Sequence, residues 1–173
     1  MSFALSEPQL VAIDDALAAG ARLEEALGDA VSTRRLPSGA LVMSETEAAD
    51  RETVAAALRL LAQVTGEAQR SVAVLGEFDS TEADALEEHD YIGRLVVRLN
   101  VAQLVAVGHA ARHIQSAAGL EGSWDGESLI VGTPEEAYDL LRGQLHGNDI
   151  VLVMASARAG LGRLIELLEE TDR

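Results

Sequence analysis

Three carboxylates follow directly after a long apolar run of the sequence. Glu77, Asp79 and Glu82 lie in the segment GEFDSTE at residues 76–82. Carboxylate oxygens at this spacing could hold a divalent cation. Acidic residues also stabilise the start of a helix by facing the positive end of its dipole, and that interpretation needs no ligand. The sequence leaves both interpretations open, whereas the single glycine of the segment excludes the three-glycine fingerprint of dinucleotide binding.

Two histidines and a serine–arginine pair are the other side chains that could do chemistry. His109 and His113 are four residues apart, the spacing at which a helix presents two imidazoles to one metal ion, although a solvated pair fits equally. Ser156 and Arg158 follow the last apolar run, where a hydroxyl and a guanidinium could receive a carboxylate or phosphate. A helix cap with a surface arginine is the alternative. His89 lies on the apolar stripe of a predicted helix, which favours a histidine at the boundary of the core with its hydrogen bonds satisfied.

The composition removes several kinds of catalysis. The chain of 173 residues has no cysteine, and all 13 of its basic residues are arginine. Without cysteine there is no disulfide, thiolate nucleophile or zinc–cysteine site. Without lysine there is no Schiff base and no phosphate-binding lysine of a P-loop. Since no serine has a base at a recognisable spacing either, the sequence predicts no catalytic residue and no metal-binding residue.

The net charge of −16 bears on partners and location. A surface this acidic repels phosphate backbones and anionic lipids, so we expect neither nucleic acid nor a membrane surface as a partner. No apolar run approaches the roughly 18 residues of a membrane span. Residues 1–20 contain no basic residue, which is unlike a secretory signal. We therefore predict a cytoplasmic protein.

Helix and strand patterns alternate along the chain. Apolar residues at helical spacing predict helices over residues 8–28, 47–64, 81–99, 109–118, 134–145 and 159–170. A proline–serine–glycine turn at residues 37–39 predicts a hairpin. Continuous apolar runs predict strands covered on both faces at residues 71–76, 104–108, 129–132 and 150–154.

This alternation predicts an α/β fold, a doubly wound, Rossmann-like sheet of about six strands. Most strands would be parallel, with an antiparallel edge hairpin and helices on both faces. We predict an N-terminal helical segment at residues 1–28 and an α/β domain at residues 29–173. Ligands of such sheets bind outside the carboxyl ends of the strands, so the candidate ligand-binding residues are Glu45, Asp50, Glu77, Asp79, His109, Ser156 and Arg158.

Four blocks of the sequence resemble the C-terminal domain of the Mur ligases. They are TRRLPSGALVMSETEAADRETVAAALRLLA, VAVLGEFDSTEADALEEHDYIG, LVAVG and DIVLVMASARAGLGRLIELL. The resemblance covers residues 22–170, is closest to the MurF branch, and keeps His89 and Gly93 at their family positions. It implies one part of a cytoplasmic, ATP- and Mg-dependent amide ligase of peptidoglycan precursor synthesis. In that three-domain enzyme, the last domain closes over the site and helps to bind ATP and the incoming amino acid or dipeptide.

The matching residues belong to the scaffold, and the residues that differ belong to the chemistry. The motif Asp-Asp-Ala-Tyr-Asn-Ala-Asn-Pro of the family aligns with residues 44–51, where only Glu45 keeps the carboxylate of the second aspartate. Its Lys-Gly-Ser-Arg motif aligns with Met-Ala-Ser-Ala at residues 154–157, and Arg158 comes one place later. The chain also lacks the Gly-x-x-x-x-Gly-Lys-Ser/Thr stretch that cradles phosphates.

We therefore expect a Mur ligase C-terminal-like domain that binds a ligand but does not catalyse ligation alone, with no cofactor for the isolated chain. The ligand would be a small anion or a peptide, with Ser156 and Arg158 receiving the anionic group and Glu45 orienting a cation. Two alternatives stay open. One is the closing domain of a ligase that is active only with a partner carrying a P-loop domain. The other is a regulatory module whose acidic face docks on a basic protein.

Overall fold

Strands and helices alternate along residues 32–170, the part of the chain that the computed structural model describes. The strands are β1 (Ser32–Arg35), β2 (Leu41–Glu45), β3 (Arg70–Gly76), β4 (Gln103–Val107), β5 (Glu127–Val131) and β6 (Asp149–Met154). The helices are α1 (Arg51–Val64), α2 (Ala85–Arg98), α3 (Arg112–Gly119), α4 (Pro134–Leu141) and α5 (Gly162–Glu170). Short 3₁₀ turns precede α3 and α5, at His109–Ala111 and Ala157–Ala159.

The strands form one sheet in the order β1-β2-β6-β3-β4-β5. β1 pairs with β2 in antiparallel orientation, and every other neighbouring pair is parallel. The turn that joins β1 to β2 contains Gly39 at φ +89°, a left-handed conformation that favours glycine. The predicted mostly parallel sheet of six strands with an antiparallel edge hairpin is confirmed.

Two apolar layers hold the helices against the sheet. One layer joins α1, α2 and α3 to strand residues such as Leu75 and Leu152. The other joins α4 and α5 to strand residues such as Val74 and Val153. Every residue of β2, β4 and β6 is buried, as is all of β3 after Arg70. The central strands are thus covered on both faces, as their continuous apolar runs predict.

Four helices begin later than their apolar patterns predict, and of these α3 and α5 begin three residues late, each after a 3₁₀ turn. α1 begins at Arg51 rather than at residue 47, because Asp50 caps it. The Asp50 carboxylate accepts a hydrogen bond from Thr53 N, and the Thr53 hydroxyl accepts one from Asp50 N, both at 2.9 Å. α2 begins four residues late, at Ala85. The residues between each strand and the late helix start belong to loops at the carboxyl end of the sheet.

The side chains of β5 are exposed or partly buried, whereas its apolar run predicts a strand covered on both faces. β5 is the last strand at one edge of the sheet. It pairs with β4 in the described structure, and its residues Glu127 and Ile130 are exposed. The physical reason is that the predicted run is short. A few adjacent apolar residues have the same pattern whether one side of the strand is covered or both.

The described range leaves one prediction about domain organisation open. The helical segment predicted at residues 1–28 lies outside the described residues, so the division into two parts stays a prediction. Within residues 32–170, no helix combines the length and the apolar character that crossing a membrane requires.

Candidate ligand-binding site

Four predicted site residues end or follow strands at one edge of the sheet. Glu45 is the last residue of β2, Glu77 follows β3, His109 comes shortly after β4 and Ser156 shortly after β6. Because these four strands are parallel, their carboxyl ends lie at the same edge. The loops there are joined by backbone hydrogen bonds, from Ala155 N to the Glu45 carbonyl at 3.0 Å and from Ser156 N to the Glu77 carbonyl at 2.8 Å.

The Glu45 carboxylate is buried and holds the loop that leads to α1. The residue is 3% exposed, and its Oε1 accepts hydrogen bonds from the backbone N–H groups of Glu47 at 2.6 Å and Ala48 at 2.9 Å. Two N–H donors satisfy a buried carboxylate oxygen without a ligand. The sequence predicts Glu45 as a group that orients a cation, whereas in the described structure its carboxylate accepts hydrogen bonds from its own loop.

Asp50 and Asp79 lie close together on two neighbouring loops. Asp50 caps α1, and Asp79 N donates to the Ala49 carbonyl at 2.7 Å, which forms a short bridge between the loops. Both residues are exposed. Across residues 32–170, no three His, Asp or Glu side chains are grouped closely enough to hold a metal ion.

The predicted pair of Ser156 and Arg158 is divided between two roles. Ser156 is 1% exposed, and its hydroxyl donates to the Glu77 carbonyl at 3.1 Å, which joins the loop after β6 to the loop after β3. Arg158 lies in the 3₁₀ turn before α5 and is exposed. The guanidinium is therefore available to a ligand, whereas the hydroxyl stabilises the loop.

An open cavity of about 660 Å³ lies beside these loops, and we call it the carboxyl-end cleft. Its volume is in the range of small-molecule sites, roughly 300–1,000 Å³. Of the predicted site residues, Glu77 and Arg158 line it; Glu45, Asp50, Asp79, His109 and Ser156 do not. The other lining residues are Phe78, Ser80, Glu82, Ala85, Leu86, His89, Ala110, Arg112 and His113.

Charges of both signs meet in the carboxyl-end cleft. Arg112 and Arg158 supply guanidinium groups, and Glu77 and Glu82 supply carboxylates. Arg158 has no ion pair with any residue of the described range. Arg112 uses Nη1 to donate to the His109 carbonyl at 3.0 Å. Because a guanidinium has five N–H donors, both arginines keep donors for an anion.

The histidine pair is separated by the turn before α3. His109 is exposed and outside the cleft lining, whereas His113 is partly buried and lines the cleft. The 3₁₀ turn places His109 before α3 begins at Arg112, so the two imidazoles do not share one α-helical face. The four-residue spacing of the histidines indicates that residues 109–113 belong to the candidate site. It does not show that Arg112 and His113 are the residues of this segment that line the cleft.

A stacked histidine and phenylalanine form a wall of the cleft. The rings of Phe78 and His89 are 3.9 Å apart and within 4° of parallel, and both residues are buried. His89 Nδ1 lies 2.7 Å from the Ala85 carbonyl, and Phe78 N donates to His89 Nε2 at 3.4 Å. This pairing requires a neutral ring with its proton on Nδ1. Burial lowers the pKa of His89, against the opposite effects of the Ala85 carbonyl and the Glu77 charge. Both ring nitrogens have a partner, as predicted, although His89 is buried and not at the boundary of the core.

We expect acid to destabilise the fold through His89. Because its pKa is lowered in the folded protein, the unfolded chain takes up the proton first, and stability is lost as the pH falls below about 6.5. Urea unfolding at neutral and mildly acidic pH measures the effect. His89→Gln, which cannot be protonated, should lose less stability than the wild type between the two conditions. The same pH dependence in His89→Gln and wild type would contradict the assignment.

The residues at this edge do not by themselves fit a magnesium nucleotide. Phosphates need positive charge and backbone N–H donors around them, and Mg²⁺ needs several oxygen ligands. The chain has no lysine, and the Glu45 Oε1 atom is already bound by two N–H groups of its own loop. The part of the chain that the structure describes also offers no cluster of three metal-ligating side chains.

Known sequences place this fold in a family. The family model for the Mur ligase, glutamate ligase domain matches residues 29–157. UDP-N-acetylmuramoyl-tripeptide–D-alanyl-D-alanine ligases of Mycobacterium leprae and of Mycobacterium tuberculosis strain H37Rv are 38% and 37% identical to this chain, over 80% and 78% of its length. The chain spans 29% of the length of each of these relatives.

Solved structures have the same fold. The MurF ligase of Thermotoga maritima in complex with ADP matches 80% of this chain and 30% of its own, with a TM-score of 0.66 and 19% identity. MurF of Acinetobacter baumannii matches 81% of this chain and 30% of its own, with a TM-score of 0.63 and 23% identity. At these identities the structural similarity concerns the fold alone.

The sheet order defines a doubly wound α/β domain with a cleft at the carboxyl ends of its strands. With the sequence matches, the assignment becomes specific: the chain belongs to the Mur ligase family and is a C-terminal, glutamate ligase domain of the MurF-like type. The resemblance carried by the four sequence blocks is thereby confirmed.

Proposed function

We propose that this domain is the ligand-binding lobe of a MurF-like ligase and that it does not form an amide bond alone. The observation that supports the proposal is the mixed charge of the carboxyl-end cleft, in which Arg112 and Arg158 share one cavity with Glu77 and Glu82. A zwitterionic ligand suits such a cavity, because its carboxylate binds guanidinium and its ammonium binds carboxylate.

The ligand we propose is D-alanyl-D-alanine, the dipeptide in the names of the mycobacterial relatives. It carries one carboxylate, one ammonium group and two methyl groups. The carboxylate would bind Arg158 and the remaining donors of Arg112, and the ammonium group would bind Glu77 or Glu82. The methyl groups would contact the apolar wall that includes Phe78.

The activation step of ligation belongs, in this proposal, outside the domain. An ATP-dependent ligase must transfer a phosphoryl group, which requires positive charge and fixed N–H donors around the phosphate. The chain has neither lysine nor a P-loop. Of the predicted ligand groups, the Glu45 carboxylate already binds its own loop and the Ser156 hydroxyl binds the loop after β3. The cleft can therefore bind and orient a ligand, in a protein that the family resemblance implies to be cytoplasmic.

Removal of the Arg158 guanidinium tests the proposed site directly. We expect Arg158→Ala to weaken the binding of D-alanyl-D-alanine about tenfold or more, because a hydrogen bond to a charged group contributes about 1.5–3 kcal/mol. Isothermal titration calorimetry on the full chain measures the affinity. An NMR titration should show the largest shifts in residues 77–82 and 112–113.

Two further measurements make this test specific. Arg142→Ala is the matched control, since it removes an exposed arginine of the loop after α4 that does not line the cleft. N-acetyl-D-alanyl-D-alanine lacks the ammonium group, so Glu77→Gln combined with Glu82→Gln should weaken the binding of the free dipeptide only. Equal affinity in wild type and Arg158→Ala, or no binding to either, would reject the site. Amide formation with ATP turnover by this chain alone would reject the non-catalytic role.

A second candidate function is favoured by the length of the match. The chain spans 29% of each mycobacterial relative, so it could be the closing domain of a ligase whose P-loop domain lies elsewhere. A chimera in which this chain replaces the matched 29% of the M. tuberculosis relative tests the idea. ATP-dependent ligation of D-alanyl-D-alanine by the chimera would support an assembled enzyme. An inactive chimera that still binds the dipeptide would favour the isolated binding lobe.

A further inference from the structure

The outer edge of β5 has backbone groups available for pairing. β5 is the last strand of the sheet, and nothing among residues 32–170 pairs with its outer side. Its two ends bond to β4 or the loops beside it, through Glu127 N and Val131 O. Strand alternation then directs the N–H and C=O groups of Ser128 and Ile130 away from the sheet. An additional strand could pair with these groups.

Between its two end residues, β5 lacks the features that usually protect an edge strand. Protection comes from proline, from charged side chains within the strand, from bulges or from a covering element. The interior of β5 is Ser128, Leu129 and Ile130, and its register with β4 is unbroken. The opposite edge differs, because β1 carries Arg34 and Arg35 in four residues, with Arg34 bound to Glu169 at 2.6 Å. The two edges of the sheet are therefore not equivalent.

Exposed apolar side chains lie on this strand and at the end of α3, which precedes it in the chain. Four large apolar residues are exposed in the described range, and two of them are Ile130 at 47% and Leu120 at 86%. Leu120 is held in place, since its N–H donates to the Ser116 carbonyl at 3.1 Å. Trp124 anchors the loop between α3 and β5 by donating its Nε1–H to the Val101 carbonyl at 3.0 Å. An exposed apolar surface on an ordered segment is typical of an interaction site.

Acidic side chains border the same surface. Glu121 and Asp125 lie in the loop before β5 and form no ion pair with another described residue, and Glu127 opens the strand. A second copy of this chain would bring like charges together, whereas a basic segment would pair with them. We propose that the outer edge of β5 binds an extended segment of a partner protein that alternates apolar with Lys or Arg residues. The segment adds a seventh strand through backbone hydrogen bonds.

A synthetic peptide of five Val-Lys repeats, blocked at both ends, serves as the probe. In the full chain we expect the amide protons of Ser128 and Ile130 to exchange freely, and the peptide to slow their exchange about tenfold or more. Added salt should weaken the effect. Two control peptides should give no protection. Five Val-Glu repeats carry negative instead of positive charge, and Val-Lys repeats with central prolines cannot pair as a strand.

Variants of Ile130 locate the surface. Ile130→Pro removes an N–H that points away from β4, so the existing sheet keeps its hydrogen bonds. Ile130→Lys adds a charge that protects the edge and carries the test if the proline variant does not fold. Both should abolish the protection by the peptide, whereas Gln63→Lys, with the same added charge on an exposed position of α1, should not.

Three results would overturn the proposal. The first is an absence of protection at Ser128 and Ile130 in the wild type with the Val-Lys peptide. The second is equal binding of either control peptide. Equal binding of the Val-Glu peptide would mean that positive charge is not needed, and equal binding of the proline peptide would mean that strand pairing is not needed. The third is protection of these amides before any peptide is added, because the edge would then be filled by another part of this chain or by a second copy.

Discussion

Replacement of Arg70 by methionine is expected to lower the free energy of unfolding by about 3 kcal/mol. The Asp149 side chain is 2% exposed and accepts hydrogen bonds from Arg70 Nε and Nη2, both at 2.9 Å. These bonds raise the pKa of Arg70. Without the guanidinium, the buried carboxylate keeps one donor, His146 N at 2.8 Å. Because the Arg70 side chain is 36% exposed, we expect the lower end of the cost of breaking a buried pair.

The position of this ion pair in the sheet makes the expected loss global. Arg70 and Asp149 are the facing first residues of β3 and β6, the two central strands. Arg70 Nη2 also donates to the Gln144 carbonyl at 3.3 Å, which ties the loop after α4 to the sheet. We therefore expect the variant to unfold in one transition at lower urea concentration, with no local loosening beforehand.

Two comparisons separate the pair from a general surface effect. Arg142→Ala breaks an exposed pair with Asp139 and should cost less than about 1 kcal/mol. Arg70→Met combined with Asp149→Asn should recover part of the stability that Arg70→Met loses, because the double variant has no unpaired buried charge. A cost for Arg70→Met no greater than that for Arg142→Ala would mean that this pair does not stabilise the fold.

The sheet could be predicted from the sequence because its central strands are covered on both faces. Continuous apolar runs such as residues 71–76 and 150–154 have no other stable place in a domain of this size. Helix starts could not be predicted as well, because the apolar period marks the buried face of a helix and not the residue that caps it. The cap of α1 at Asp50 lies where Asp79 N reaches the Ala49 carbonyl, a contact between segments that the helical period does not relate.

The location of the candidate site could be predicted, but not the side chains that face its cavity. The ends of parallel strands must satisfy the free backbone N–H groups of their loops. Glu45 does so by accepting from two N–H groups, whereas Ser156 donates to a backbone carbonyl oxygen, and neither residue lines the cleft. Arg112 and His113 line the cleft because a 3₁₀ turn precedes α3. A residue pattern alone does not distinguish that turn from a first helical turn.

Gly93→Val is expected to be the most destabilising single substitution considered, at about 4 kcal/mol. Gly93 lies where α2 crosses α3. A Cβ atom there would lie 2.8 Å from the Ala117 Cβ and closer still to the Ile114 carbonyl oxygen. A backbone oxygen cannot rotate away, so the helices would have to separate. Even Gly93→Ala should cost about 2 kcal/mol, although alanine favours a helix over glycine by about 1 kcal/mol.

A second glycine of the same helix pair provides the control. Gly119 ends α3, and a Cβ atom there would lie 3.8 Å from Ser128 Oγ, an ordinary contact. Gly119→Ala should therefore leave stability unchanged or raise it slightly, whereas the same substitution at Gly93 should lower stability. Urea denaturation measures both. Because α2 also carries His89, a displaced α2 should weaken ligand binding in folded Gly93→Ala as well. Equal stability of Gly93→Ala and Gly119→Ala would show that the stability of the fold does not depend on the close packing of α2 on α3.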